Sequence, residues 1–191
     1  MRIVKRMGLV LVAICACSAL AAMTASAHEF EASKTGLLLA KADGVQVFNF
    51  KDGTVECKKL TGHGFITTLK PKTQTATVSY TECSTAIGTV SEPINAEYEF
   101  SAENTVKILK TIKIGISFIG ECNVTIPPQG PLDKVTYDNN TSAGDILLLA
   151  HVLSIKSSAT GSICENYTND TTGLYIGKAL VQLDGGTIKW V

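Results

Sequence analysis

Thr111-Ile112-Lys113-Ile114-Gly115-Ile116-Ser117-Phe118 decides the fold. Apolar side chains fall at every second position and polar or small ones between them, a period of two that turns one face of an extended strand to a core and the other to water. Upstream, Ala96, Tyr98 and Phe100 alternate with Asn95, Glu97 and Glu99 in the same way. Both segments read as half-buried strands of an antiparallel sheet.

Asp-Gly pairs at Asp43-Gly44, Asp52-Gly53 and Asp184-Gly185 each lie between apolar or alternating segments. This dipeptide suits tight turns whose central residues need positive φ, so each marks a hairpin candidate. The first two predict a meander of strands at 36–41, 45–50 and 54–58, and the third a C-terminal hairpin of 178–183 with 187–190. Further strands are expected at 75–80, 122–126 and 135–137. Periodicity allows the apolar run 145–155 to be a strand or a short buried helix, and the β-rich surroundings decide for a strand. Glu29-Phe30-Glu31-Ala32-Ser33-Lys34 reads as a frayed start, and Pro127-Pro128-Gln129-Gly130-Pro131 as a loop too short to separate two cores.

The whole is 191 residues, but its first 27 have the layout of an export signal. Arg2, Lys5 and Arg6 precede an apolar run from Met7 to Ala22, and Ala25-Ser26-Ala27 supplies the small residues of a cleavage site before His28. Cys15 and Cys17 inside that run leave lipid attachment as a second option, which the residues before them fit poorly. Residues 28–191 are then expected to form a single β-rich domain, secreted or extracytoplasmic, with no transmembrane span. Its 164 residues include 21 threonines and 15 glycines, which favour strands and turns. A threonine-rich sheet with one apolar face needs a second layer to cover it. The expected fold is all-β, an antiparallel β-sandwich or related barrel-like fold, with two similar halves left open.

Charge narrows the partners. The segment 28–191 carries 14 lysines, 17 acidic residues and no arginine. Lys58-Lys59 and the spaced Lys107, Lys110 and Lys113 stand among acidic residues, so the chain has no basic patch to neutralise several phosphates. Nucleic acid is therefore excluded as an expected partner.

Cys57, Cys83, Cys122 and Cys164 are an even set with no C-x-x-C and no short zinc-type pair. Exported chains oxidise such sets, and four cysteines permit three pairings. Phe50-Lys51-Asp52-Gly53-Thr54-Val55-Glu56-Cys57 and Phe118-Ile119-Gly120-Glu121-Cys122 share an aromatic, a glycine and then Glu-Cys, each followed by a second cysteine. That parallel favours Cys57 with Cys83 and Cys122 with Cys164. Internal duplication and coincidence account for it equally well.

With Cys57 and Cys83 set in Gly53-Thr54-Val55-Glu56-Cys57 and Ser79-Tyr80-Thr81-Glu82-Cys83-Ser84, the chain resembles uncharacterised exported bacterial β-rich proteins that carry a signal peptide and paired cysteines. The resemblance implies a bacterial extracytoplasmic location and brings no active residues with it. It would also make the Asn-x-Thr/Ser sites at Asn123, Asn139, Asn140, Asn166 and Asn169 incidental.

Chemistry has few candidates. His63, between Gly62 and Gly64, has the exposure that acid–base or metal work requires, although a turn histidine without a partner is the plainer reading. His151 lies in the apolar run and is expected in the core, packed or hydrogen-bonded. His28 lacks a second ligand. No Gly-x-Ser-x-Gly, H-E-x-x-H or phosphate-binding glycine loop occurs. Glu97 and Glu99 share a strand face that reads as solvated, and the oxygen-rich segments 138–142 and 166–171 lack the carboxylate spacing of a calcium loop. Most aromatics at strand spacing are expected in the core, and Trp190 is expected to anchor a C-terminal strand.

The sequence thus supports an exported, disulfide-stabilised β domain with a non-catalytic surface or binding role toward a glycan or protein, with no cofactor, no metal and no catalytic residue. Two alternatives stand beside it. One is a small exported hydrolase in which His63 or His151 meets an acidic partner and a nucleophile only in three dimensions. The other is a structural cell-surface protein.

Overall fold

A computed structural model describes residues 28–51, 53–117, 119–139, 141, 143–164, 167 and 170–191. The segment expected to be an export signal lies outside the described residues, as do Asp52, Phe118, Asn140, Ser142, Asn166, Thr168 and Asn169. The fold is all-β, antiparallel and sandwich-like. Its strands are β1 (Phe30–Ala32), β2 (Gly36–Ala42), β3 (Gln46–Phe50), β4 (Gly53–Ile66), β5 (Thr73–Thr85), β6 (Gly88–Val90), β7 (Ile94–Ser101) and β8 (Thr105–Ile108). The remainder are β9 (Ile112–Ser117), β10 (Glu121–Ile126), β11 (Gln129–Asp133), β12 (Val135–Asp138), β13 (Ile146–Gly161), β14 (Asp170–Leu183) and β15 (Ile188–Trp190).

Four strands of 13 to 16 residues, β4, β5, β13 and β14, frame the molecule, and shorter ones fill positions along them. The pairings run from β5 through β6, β9, β10, β13, β14, β2 and β4 and return to β5. β7, β8 and β11 extend outward from β5, and β12 lies along the N-terminal half of β13. The decisive alternation holds: Ile112, Ile114 and Ile116 are buried, and Lys113 faces water. Ala96 and Tyr98 point inward in β7. The 145–155 run is a strand, continued as far as Gly161, because β14 pairs along most of its length and β12 and β10 occupy its other side in turn.

Two of the expected hairpins are replaced by longer-range pairing. β2 does not pair with β3. Both occupy one position between β4 and β14, β2 opposite residues 61–66 of β4 and β3 opposite 53–57. The break at Asp43-Gly44 is an interruption within that line. The Asp43 N–H donates to Lys178 O at 2.9 Å, and the Gln46 amide donates to Gly44 O and Lys178 O, both at 2.9 Å, in place of the missing ladder bonds. The Asp52-Gly53 signal does join strands, since Phe50 lies opposite Gly53 where β3 and β4 pair.

Asp184-Gly185 also makes a turn, but β15 leaves it to pair with β1 rather than with β14. The expected frayed start is therefore a strand: Phe30 pairs with Trp190, and its ring is buried against Tyr137. Trp190 anchors this closure by donating from its indole to Ala102 O at 2.8 Å and stacking on His28 at 4.4 Å. Lys70 bonds to both Glu29 and Glu31 across the same corner. Hydrogen bonds from Lys189, then from Lys70, hold the Glu31 carboxyl down at about 2. The proline-marked segment is likewise partly a strand, with Gln129, Leu132 and Asp133 pairing with β8.

The disulfides join Cys57 to Cys83 and Cys122 to Cys164. They are built differently. Cys57 and Cys83 face each other directly across β4 and β5, whereas Cys122 lies opposite Gly161 and its bridge reaches beyond the end of β13. Each Glu-Cys thus supplies the first cysteine of a bridge, but to a partner placed differently.

Candidate ligand cavity

Gln46, Phe48 and Phe50 occupy alternate positions of β3 and all point inward. Two are expected core residues. The third is an amide with no accessible surface, and a buried amide is stable only when its donors and acceptor are satisfied. Its nitrogen serves the two carbonyls at the β2–β3 break, and its oxygen accepts from the Tyr175 hydroxyl at 2.6 Å. Gly177 makes room for this pair, because a Cβ there would run into both the Gln46 oxygen and the Tyr175 hydroxyl.

Tyr175 in turn packs edge-on against Tyr80 with ring centroids 6.0 Å apart, and the hydroxyls of Tyr80 and Tyr98 are 3.0 Å apart. The two hydrogen-bonded pairs, Tyr98–Tyr80 and Tyr175–Gln46, are packed in an aromatic cluster, with Phe48 centred 4.8 Å from Tyr175 and 5.1 Å from Tyr80. Beside it the core leaves a cavity of about 100 Å³. Its lining is almost wholly apolar, including Phe48, Val78, Ile112, Ile126, Val152 and Ile155, and Tyr80, Tyr98, Tyr175 and Gln46 border it. On one side the lining extends to the exposed residues Leu39 and His63 of β2 and β4, which lie opposite each other.

Burial raises every tyrosine of the chain. Tyr98 is pushed up to about 12 by desolvation, partly offset by its bond to Tyr80. Burial also raises Tyr80 and Tyr175 well above the ordinary value, joined by the charges their neighbours would carry. Burial likewise raises Tyr137 and Tyr167. A phenol that holds its proton more tightly when folded contributes stability in full below the unfolded value near 10 and loses it as pH rises through the folded value. Absorbance at 295 nm is accordingly expected to stay flat past pH 10 and then rise in one step together with loss of near-ultraviolet circular dichroism. A gradual rise centred near pH 10 in the folded protein would contradict this burial.

The histidine candidates separate. His63 is exposed at the cavity rim, opposite Leu39 and Thr77. His151 is not a core residue: strand parity turns Ala150 and Val152 inward and His151 outward, opposite Ile176. Among the described residues neither imidazole has a hydrogen-bond or ion-pair partner, and no three His, Cys, Asp or Glu residues come together as metal ligands. Glu97 and Glu99 form ion pairs with Lys110 and Lys107 on the solvated face. Asp170, from the oxygen-rich 166–171 segment, is occupied by structure. Burial raises its carboxyl, but hydrogen bonds from Thr172, Lys51 and Thr171 outweigh this and leave it below the usual range. In the other oxygen-rich segment, the Asn139 amide bonds the Trp190 backbone on both sides.

Among the described residues no helix is long and apolar enough to cross a membrane. The outer sheet face does carry exposed apolar side chains, with Leu37 of β2 directly opposite Phe65 of β4, which is 58% exposed. Compared with known proteins, the chain matches no family model, and no curated protein and no solved structure is significantly similar to it.

Proposed function

We propose that the protein is an exported, non-catalytic binding domain whose interior holds a small, mainly apolar molecule. The observation that carries this reading is the cavity of about 100 Å³ in a mainly apolar core, beside the buried Tyr80–Tyr98 and Tyr175–Gln46 hydrogen bonds. Protein interiors are packed with few voids larger than a water molecule. Apolar cavities of about 150 Å³ take up benzene-sized molecules, so this smaller one, whose lining reaches the exposed Leu39 and His63, suits a short chain or at most a single ring. Export is supported by the apolar N-terminal run ending in Ala25-Ser26-Ala27 and by the two disulfides. The partnerless imidazoles of His63 and His151 support a non-catalytic role, because general-base activation of a nucleophile needs the base within hydrogen-bond reach of it.

The test is thermal unfolding of the oxidised protein in increasing toluene. A ligand at about 100 times its Kd stabilises the native state by about 2.7 kcal/mol, which raises the midpoint by several degrees. Ala76→Leu, which adds three carbons from the cavity wall, is expected to abolish the rise. No rise in the unsubstituted protein with toluene, phenol or anisole would overturn the proposal.

A further inference from the structure

The two disulfides differ in what shelters them. Cys122 lies inside the sheet, opposite Ile116 of β9 on one side and Gly161 of β13 on the other. Gly161 approaches so closely that a Cβ there would run into Glu121 O. Cys122 has no accessible surface and Cys164 is 6% exposed, which closes this bridge to an attacking thiol. Cys57 is as buried as Cys122, but Cys83 is only half-buried. The reason lies in how β5 is paired on the side away from β4. There β7 ends its pairing at Tyr80, opposite Ile94, and β6 begins at Ser84, opposite Thr89. Among the described residues no strand pairs with 81–83 on that side. The connecting residues Ser91, Glu92 and Pro93 are all exposed. The Ser91 N–H turns away to Gly115 O of β9 at 3.3 Å, and Pro93 has no N–H to offer.

We infer that Cys83 is a thiol-exchange site: in the folded protein a small thiol attacks its Sγ and opens Cys57–Cys83, while Cys122–Cys164 stays closed. Exchange proceeds by attack of a thiolate on one sulfur of the bridge, through a mixed disulfide. The attacker comes from the side opposite the leaving sulfur, and for Cys83 that is the side away from β4, where the ladder is interrupted. The Glu82 carboxylate beside this gap is paired with Lys59, so its charge does not repel the thiolate unopposed. With a dithiol, the first sulfur bonds to Cys83 Sγ as the Cys57–Cys83 bond breaks. Cys57 leaves with the electron pair and takes a proton from solvent. The second thiol of the reagent then displaces Cys83 in the same way, so the reagent ends as a disulfide and the bridge as two thiols. Cys57 and Cys83 face each other within a ladder that holds β4 to β5 without the covalent link, so the fold survives the opening. Neither cysteine lines the cavity, and the site stands apart from it.

The experiment treats the oxidised protein with dithiothreitol in native buffer and quenches samples with acid at intervals. Free thiols are then alkylated after unfolding and mapped, while near-ultraviolet circular dichroism is followed in parallel. The expected result is complete loss of the Cys57–Cys83 bridge while Cys122–Cys164 persists and the dichroism is retained. A brief exposure to glutathione, a monothiol, is expected to leave the adduct on Cys83 and the free thiol on Cys57. Loss of both bridges at one rate, or dichroism that decays in step with the first, would mean that reduction goes through unfolding and would overturn the inference. Resistance of both bridges, earlier loss of Cys122–Cys164, or glutathione on Cys57 in place of Cys83 would overturn it equally.

Discussion

Reducing both disulfides is expected to remove about 7.5 kcal/mol of stability. The loops they close span 26 and 42 residues, and restricting the unfolded chain over those lengths is worth about 3.5 and about 4 kcal/mol. Domains are commonly stable by only about 5–15 kcal/mol, so the reduced chain should be largely unfolded or close to it. The bridges can be separated by Cys57→Ala with Cys83→Ala, and Cys122→Ala with Cys164→Ala, each followed by urea unfolding. The two pairs should cost similar amounts overall but act at different places. Cys57 and Cys83 already face each other across a continuous ladder, whereas Cys122–Cys164 ties the chain beyond β13 back to β10. Loss of the second pair is therefore expected to speed amide exchange at residues 159–164 more than loss of the first speeds it in β4 or β5. An unchanged urea midpoint after complete reduction would show that the native state does not depend on these closures.

Strand identity was legible wherever one face is buried and the other wet, because the period of two is then written directly into Ile112, Ile114 and Ile116. Strand partners were not. Asp43-Gly44 and Asp184-Gly185 encode local turns, but a turn residue carries no information about which ladder the next strand joins. β3 takes its place between β4 and β14 because Phe48 lies opposite both Val55 and Tyr175, and β15 goes to β1 because Trp190 finds Ala102 O and His28 there. These choices depend on contacts far apart in the chain. His151 was misplaced for a related reason: a continuous apolar run hides parity, and only the pairing with β14 shows which side chains turn outward.

The cavity was the least legible feature. Gln46 shares the inward parity of Phe48 and Phe50, so an amide among core aromatics was present as a signal. Its meaning required Gly44, Lys178 and Tyr175, which lie 2, 132 and 129 residues away. Tyr80, Tyr98 and Tyr175 were expected in the core as aromatics, and their hydroxyls converge because β5, β7 and β14 bring them to one interior.

Phe48→Ala is expected to be the costliest single core substitution outside the bridges, at about 3–5 kcal/mol. The ring is 2% exposed and packs on Phe50, Tyr80 and Tyr175, with centroid distances of 6.5, 5.1 and 4.8 Å. Its removal forfeits those aromatic pairings and adds the vacated volume to a cavity that already adjoins it. Long paired strands on both sides, β4 and β14, resist collapse into the space, so the loss should fall toward the upper end of the range. The same rigidity yields an opposite expectation for binding. A larger, still apolar cavity should take toluene more tightly, so saturating toluene should raise the unfolding midpoint of Phe48→Ala by more than that of the unsubstituted protein. Recovery of part of the lost stability by a filling molecule would mean that the walls hold their shape when emptied. A loss below about 1 kcal/mol, or the same toluene-induced rise in both proteins, would mean that the interior closes around the missing ring.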